Sequence, residues 1–337
     1  MGLAAIYDVP APAKLNLFLH VVGRRPDGYH LLQSVMVLID WCDTLHFECR
    51  DDGRLQRHDL GPALPTDDLS LRAARALQQA SGTALGADVS VDKRVPWGAG
   101  LGGGSSDAAS TLLALNRLWG LNWPRARLQQ LALPLGADVP FFVGGHNAFV
   151  GGIGEQLTPL PTPAAQVLAK QCYAVVKPAP SIATALIFAS PALARNTEAV
   201  IVMSFLAGAG LPEKLSAGNN VGYGRNDLQP PAEAAYPEVA QVAAWLKARH
   251  GNSRMSGSGS AVFARVNKIQ ALVQGTEVDA KAEASAQPPA ASAQPPAASA
   301  QPPAASAVAD LPASLPPGWT GRMCQGLAHH PLVGWAD

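Results

Sequence analysis

Residues 95–109 read VPWGAGLGGGSSDAA. Gly98, Gly100, Gly102, Gly103 and Gly104 strip the Cβ atoms from a run that opens a helix. Backbone N–H groups can then crowd around an anion, and the helix start adds the positive end of its dipole. Ser105 and Ser106 can donate to phosphate oxygens, and Ser106 is a candidate Mg²⁺ ligand. A flexible turn with a serine cap is the plainer reading, and five glycines running into Ser-Ser-Asp favour phosphate over it. The expected phosphate loop comprises Pro96, Trp97, Gly98, Ala99, Gly100, Leu101, Gly102, Gly103, Gly104, Ser105 and Ser106.

Two common phosphate sites fail here. Gly98, Gly100 and Gly103 satisfy the dinucleotide spacing, but that fold wants an acidic ribose anchor about twenty positions on. After Asp107 the next acidic residue is Asp138. A P-loop needs a Gly-Lys pair, and the chain has none.

Around the loop the pattern is mixed α and β. Residues 14–22 alternate, with Leu15, Leu17, Leu19 and Val21 on one side and Lys14, Asn16, Phe18 and His20 on the other. That spacing predicts a half-buried strand with a polar face. Residues 34–39, 44–49, 88–91 and 173–177 read as further strands. Residues 69–81 read as an amphipathic helix capped by Asp68. The loop helix is expected from about Ser105 to Leu118, ended by Gly120 and Pro124, with a short helix over 125–133. Asp138 followed by Pro140 reads as an N-cap. A Ser/Gly loop at 256–260 precedes an apolar strand at 261–266. Apolar periodicity weakens near 158–163, which predicts one domain over 1–160 and another over 161–337.

QPPAASA occurs three times in a row over residues 287–307. It offers no large apolar residue, and its proline pairs block helix and sheet. A disordered insert at about 280–312 is expected, with the last strand beyond it.

The 337 residues carry 25 basic and 25 acidic side chains, a formal net charge of 0. Such a chain lacks the electrostatic footprint for nucleic acid or an anionic membrane. The four cysteines form no CxxC pair, so free thiols in a cytoplasmic setting are expected. No signal peptide is predicted, and the longest apolar stretch, near 199–212, is too short to span a bilayer.

Three segments together resemble the motifs of the GHMP small-molecule kinases: PAKLNL at 12–17, the glycine loop, and RMSGSGS at 254–260. GRRPDGYH at 23–30, LGADVPFF at 135–142, Gly154-Glu155 and RNDL at 225–228 narrow the match to the branch acting on a cytidine diphosphate conjugate of methylerythritol. The resemblance spans nearly the whole chain except the repeats. Trp97, Ala183 and the insert depart from the family pattern.

The resemblance implies a two-domain α+β fold, an N-terminal ribosomal-protein-like α/β sandwich on a C-terminal α+β domain, with the active site in the cleft between them. It implies ATP and Mg²⁺ as cofactors and a small-molecule alcohol as acceptor. Asp138 resembles the catalytic carboxylate and Lys14 its ammonium partner. A hydroxyl is a poor nucleophile near neutral pH and needs a proton acceptor or strong positioning. Tyr29 would stack on the cytosine, His30 would hydrogen-bond its edge, and Phe188 would cover its other face. Asn16 would bind the erythritol part. A homoserine or sugar kinase, a dehydrogenase and a non-catalytic nucleotide sensor remain the rivals at this stage.

Overall fold

The computed structural model describes residues 3–200, 225–266, 311 and 315–337. The QPPAASA repeats and most of the 199–212 stretch lie outside them.

Two sheets organise the described residues. In the first, β1 (Ala5–Arg24) runs antiparallel to β2 (His30–Arg50) along their whole length. β2 is long enough to take two further neighbours. Its second half pairs with β4 (Gly86–Asp92), which carries β3 (Leu55–Asp59) in parallel at the edge. Its first half pairs with β5 (Ala148–Gly151), followed by β6 (Gln156–Pro159). The second sheet runs β10 (Thr320–Gln325), β7 (Cys172–Lys177), β9 (Val262–Val266), β8 (Arg254–Met255). The strand expected beyond the repeats is thus β10, antiparallel to β7.

The expected strand at 14–22 lies inside β1, but it is not half-buried. Val9 to Val21 are buried on both faces. Register shifts fall between Pro12 and Ala13 and between Asn16 and Phe18. Such a bulge moves the following side chains to the other face. Phe18 accordingly packs in the same cluster as Leu15 and Leu17, not on Lys14's side. Lys14 and Asn16 are left as a polar island in a buried strand.

Helix α1 (Leu69–Ser81) starts where expected, with Asp68 accepting from the N–H groups of Ser70 and Leu71. It packs with α2 (Gly103–Leu118) over the first sheet. Next come α3 (Arg125–Ala132), a 3-10 turn at Leu133–Leu135, and α4 (Val139–Gly144). After β6, α5 (Thr162–Ala169) leads to β7 and α6 (Thr184–Ala189) follows it. α7 (Gln229–Ala235) and α8 (Pro237–His250) complete the helices among the described residues. No helix there is long and apolar enough to cross a membrane.

After β10 the chain returns to the first sheet. Leu327 N–H donates to Leu38, and His330 N–H donates to Gly145. The Arg125 guanidinium donates to the carbonyls of Val143, Val333 and Ala336, pinning this tail to the end of α4. His330 is fully buried, and its Nδ1 accepts from Leu332 N–H. Burial first, then the charges of Arg125 and His329, push its pKa down to about 3. The folded value lies below the unfolded one, so the stability this neutral histidine carries is full above the ordinary histidine pKa. It drains away as pH falls toward about 3, at up to about 1.4 kcal/mol per pH unit. Urea midpoints of wild type and His330→Asn from pH 7.5 to pH 4 should show a gap that narrows with acid.

Candidate active site

A cavity of about 720 Å³ is lined by residues of β1, β2, α6 and the 257–259 loop. Its volume suits a drug-sized ligand. Lys14, Asn16, Tyr29, His30, Asp138 and Phe188 all line it, together with Gly98, Gly100 and Gly102. The remaining loop residues, Pro96, Trp97, Ala99, Leu101, Gly103, Gly104, Ser105 and Ser106, do not.

Lys14 is 3% exposed, and its ammonium has a defined destination for each donor. One goes to Asn16 Oδ1 at 2.5 Å and one to the Gly100 carbonyl at 2.9 Å. The third side faces Asp138, whose Oδ2 is 3.6 Å away. Burial lowers the Lys14 pKa, and the Asp138 charge opposes that shift. Asn16 has its own support: Nδ2 donates to Ser34 Oγ, which donates to the Phe18 carbonyl. Its side chain therefore orients Lys14, a job the sequence reading did not give it.

Asp138 stands at the N-cap position of α4, but its carboxylate makes no cap hydrogen bond. Its backbone φ of −85° and ψ of −15° are helical, whereas a capping side chain needs an extended backbone to fold back onto the N–H groups. The expected cap is absent, and the carboxylate is left 29% exposed beside Lys14.

The glycine loop shows why this spacing works. Gly98, Gly100 and Gly102 have φ of 63°, 72° and 72°, while Ala99 and Leu101 between them are not left-handed. Alternating the sign of φ turns successive N–H groups toward one side, forming an anion-binding nest. The carbonyls go the other way. Trp97 O accepts from Ser181 Oγ, Gly98 O from Ile182 N–H, and Ala99 O from Ala261 N–H. Gly100 O accepts from Lys14 and Ser256 Oγ, Leu101 O from Lys14 N–H, and Gly102 O from Ser106 N–H. Among the described residues no acceptor meets the N–H groups of Gly98 through Ser105. The side chains of Ala99 and Leu101 are buried in the core, so these two present backbone alone. Trp97 is 67% exposed.

A buried ion cluster braces both ends of the loop. Lys93 Nζ lies 2.5 Å from Asp43 and 2.5 Å from Asp107 in α2. Asp43 also accepts from the N–H groups of Arg94 and Val95. Burial raises the Asp107 carboxyl above the usual carboxylate range, with Lys93 opposing and the Asp43 charge adding to it. The sequence reading missed Asp43 and Lys93, because isolated charged residues beside predicted strands look like ordinary surface.

Elsewhere in the cavity lining Phe188 lies on the His30 imidazole, with ring centroids 5.0 Å apart and planes 27° apart. His30 Nε2 accepts from Arg195 at 3.2 Å. Tyr29 is 59% exposed at the cavity edge, its N–H donating to Asp27 Oδ1. Thr184 and Ser258, also missed, share a hydrogen bond of 2.7 Å in the wall. The RNDL segment docks against β1 and reaches the cavity wall through Leu228. Leu19 N–H donates to the Arg225 carbonyl, Asp227 N–H donates to the Leu19 carbonyl, and Asn226 Nδ2 donates to the carbonyls of Met255 and Gly257.

Comparison with known proteins places this geometry. Residues 68–146 match the GHMP kinases N terminal domain, and 208–278 match the GHMP kinases C terminal. A protein of Methylibium petroleiphilum named 4-diphosphocytidyl-2-C-methyl-D-erythritol kinase is 57% identical over 336 residues, covering 100% of both chains. The chain belongs to the 4-diphosphocytidyl-2-C-methyl-D-erythritol kinase family of GHMP kinases. A protein of the same name from Verminephrobacter eiseniae is 49% identical over 99% of both chains. A crystal structure of 4-(cytidine 5'-diphospho)-2C-methyl-D-erythritol kinase superposes with a TM-score of 0.63 at 36% identity, over 78% of this chain and 92% of that one. Homoserine kinase from Cytophaga hutchinsonii shares the fold at a TM-score of 0.57 and 17% identity. As a member of this family the chain is an ATP-using phosphotransferase with an alcohol group as acceptor.

Proposed function

We propose that this kinase transfers the γ-phosphoryl group of ATP to the 2-hydroxyl of 4-diphosphocytidyl-2-C-methyl-D-erythritol. One observation carries the reading. One cavity is lined both by the Lys14–Asp138 pair with the glycines of the amide nest and by the Tyr29, His30 and Phe188 rings. Having both groups in one cavity suits an acceptor that joins a reacting hydroxyl to a base.

Asp138 receives the acceptor hydroxyl and positions it or takes its proton as the phosphoryl group arrives. Lys14 balances the carboxylate and, through Gly100, ties it to the loop. The free amides of residues 98–105 hold phosphate oxygens and meet the charge that develops on them. Mg²⁺ fits at Ser106, whose buried Oγ has no hydrogen-bond partner among the described residues. No group of three or more His, Cys, Asp or Glu side chains there could cage a metal. This suits an ion held by phosphates and water with one or two protein oxygens. Bound there, it would neutralise phosphate charge.

The division at about residue 160 is supported by the sheets, the first ending at β6 and the second beginning at β7. On this reading the cavity is the cleft between domains. A cytoplasmic location is supported by four cysteines that remain free thiols.

Tyr29→Ala should weaken binding of the conjugate by about 1–3 kcal/mol, the worth of one base–aromatic stack. Steady-state kinetics on the conjugate and on free methylerythritol phosphate check the substrate. Equal efficiency on both would overturn the assignment.

A further inference from the structure

Arg195 belongs to none of the segments that carried the family resemblance, yet it stands directly behind His30. Its guanidinium is held on three carbonyls: Nη1 donates to Leu193 at 3.0 Å, and Nη2 donates to Phe188 at 3.2 Å and Ser190 at 2.7 Å. The Nε donor points at His30 Nε2. An arginine has donors and no acceptor. His30 Nε2 must therefore be the bare nitrogen, and the ring's hydrogen sits on Nδ1. The same arginine holds Phe188 by its carbonyl while the Phe188 ring lies on the imidazole. One cation thus sets the tautomer, the tilt and the stacking partner of the histidine.

We propose that Arg195 is a positioning residue that locks His30 in its neutral Nδ1–H form, so that the cavity offers a hydrogen-bond donor to N3 of the substrate's pyrimidine. The lock is read from the geometry alone; the pyrimidine contact rests on the cytidine reading above. Cytosine presents an acceptor at N3, whereas uracil carries a hydrogen there. A fixed Nδ1–H donates to the first and clashes with the second, and a site built for one polarity rejects the other because a buried group is left unpaired. The charges around the ring act in the same direction. Burial lowers the His30 pKa, and Arg195 and then Arg24 lower it further. Tyr29 and Asp27 lie on the same turn, and Asp27 is paired with Arg25 at 2.7 Å. Protonation of His30 would set a cation against Arg195 and remove the acceptor that Nε needs.

The test has an arm that involves no substrate. In the full-length enzyme labelled with ¹⁵N-histidine, the His30 ring signals, assigned with His30→Gln, should report the Nδ1–H tautomer at pH 7. In Arg195→Met they should move toward a mixture with Nε2–H, and the His30 titration should move to higher pH. Arg195→Lys, which keeps the charge and loses the fork, should give a smaller shift and serves if the methionine variant does not fold. In the kinetic arm, Arg195→Met should raise KM for the cytidine conjugate by roughly 5–20-fold, the worth of one or two hydrogen bonds, with kcat little changed. The preference over the uridine conjugate should shrink with it. A wild-type His30 found as Nε2–H or as the imidazolium overturns the lock whatever the substrate is. A correct tautomer with no preference for cytidine over uridine in wild type overturns the pyrimidine contact. Failure of the enzyme on any cytidine conjugate overturns the cytidine reading and leaves the lock standing.

Discussion

Asp138→Asn should lower kcat by about 10²–10⁴, the usual worth of general-base help, in an enzyme that melts near the wild-type temperature. The fold should survive because the carboxylate caps nothing and is partly open to solvent. ATP affinity should change little, since the loop carbonyls keep their partners and the loop amides stay free for phosphate. Lys14→Met is a different lesion. It removes the charge beside Asp138, but it also withdraws the donor that holds the Gly100 carbonyl and leaves Asn16 Oδ1 without its ammonium. It should therefore lose both turnover and ATP affinity. The double variant should lose much less turnover than the product of the two, because the groups act as a unit. Single-turnover phosphoryl transfer, calorimetric ATP titration and thermal melting on the three variants separate these effects. A folded Asp138→Asn enzyme with near-normal turnover would falsify the catalytic role.

The second large effect belongs to Gly100. A Cβ there would stand 2.1 Å from the Ser256 carbonyl oxygen, and the residue's φ of 72° disfavours any L side chain. Gly100→Ala must push the loop away from the 256–259 turn and break the contacts of Gly100 O with Lys14 and Ser256. Activity should fall below a hundredth of wild type and stability should drop by more than about 1 kcal/mol, the cost of the left-handed backbone alone. Gly104→Ala is the control. Its Cβ would meet only Leu69 Cδ1, at an ordinary 3.7 Å, and the position lies in the first turn of α2. Alanine is the better helix former by about 1 kcal/mol, so stability should hold or rise. Equal losses from the two changes would mean that glycine is needed throughout to clear the ligand, and not at particular positions to fit the protein.

That contrast corrects a natural reading of the loop. Read from the sequence, the glycines clear space for phosphate. In the structure, Cβ atoms at Gly98, Gly100 and Gly102 would strike Ser181, Ser256 and Phe142, all protein atoms. The glycines allow the left-handed turns and let the loop lie close on the chain, and the amide nest follows from that.

The sequence by itself determined the local elements and the chemistry at hand. The 3.6-residue periodicity of 69–81 and the carboxylate before it fixed α1 and its cap, because both depend on neighbours in the chain. The glycine spacing marked the phosphate loop, and motifs in a particular order marked the kinase family. Tertiary structure decided what depended on partners far along the chain. It set the bulge that changes the faces of β1, since register belongs to a pair of strands and not to one. It denied Asp138 its cap by giving it a helical backbone. It spent Asn16 on Lys14 and Ser34, and placed Arg195 behind His30 from 165 residues away. Side-chain hydrogen bonds of that kind leave no periodic trace, because the entropy of closing the chain between two residues is met by the whole fold and not by the sequence around either one.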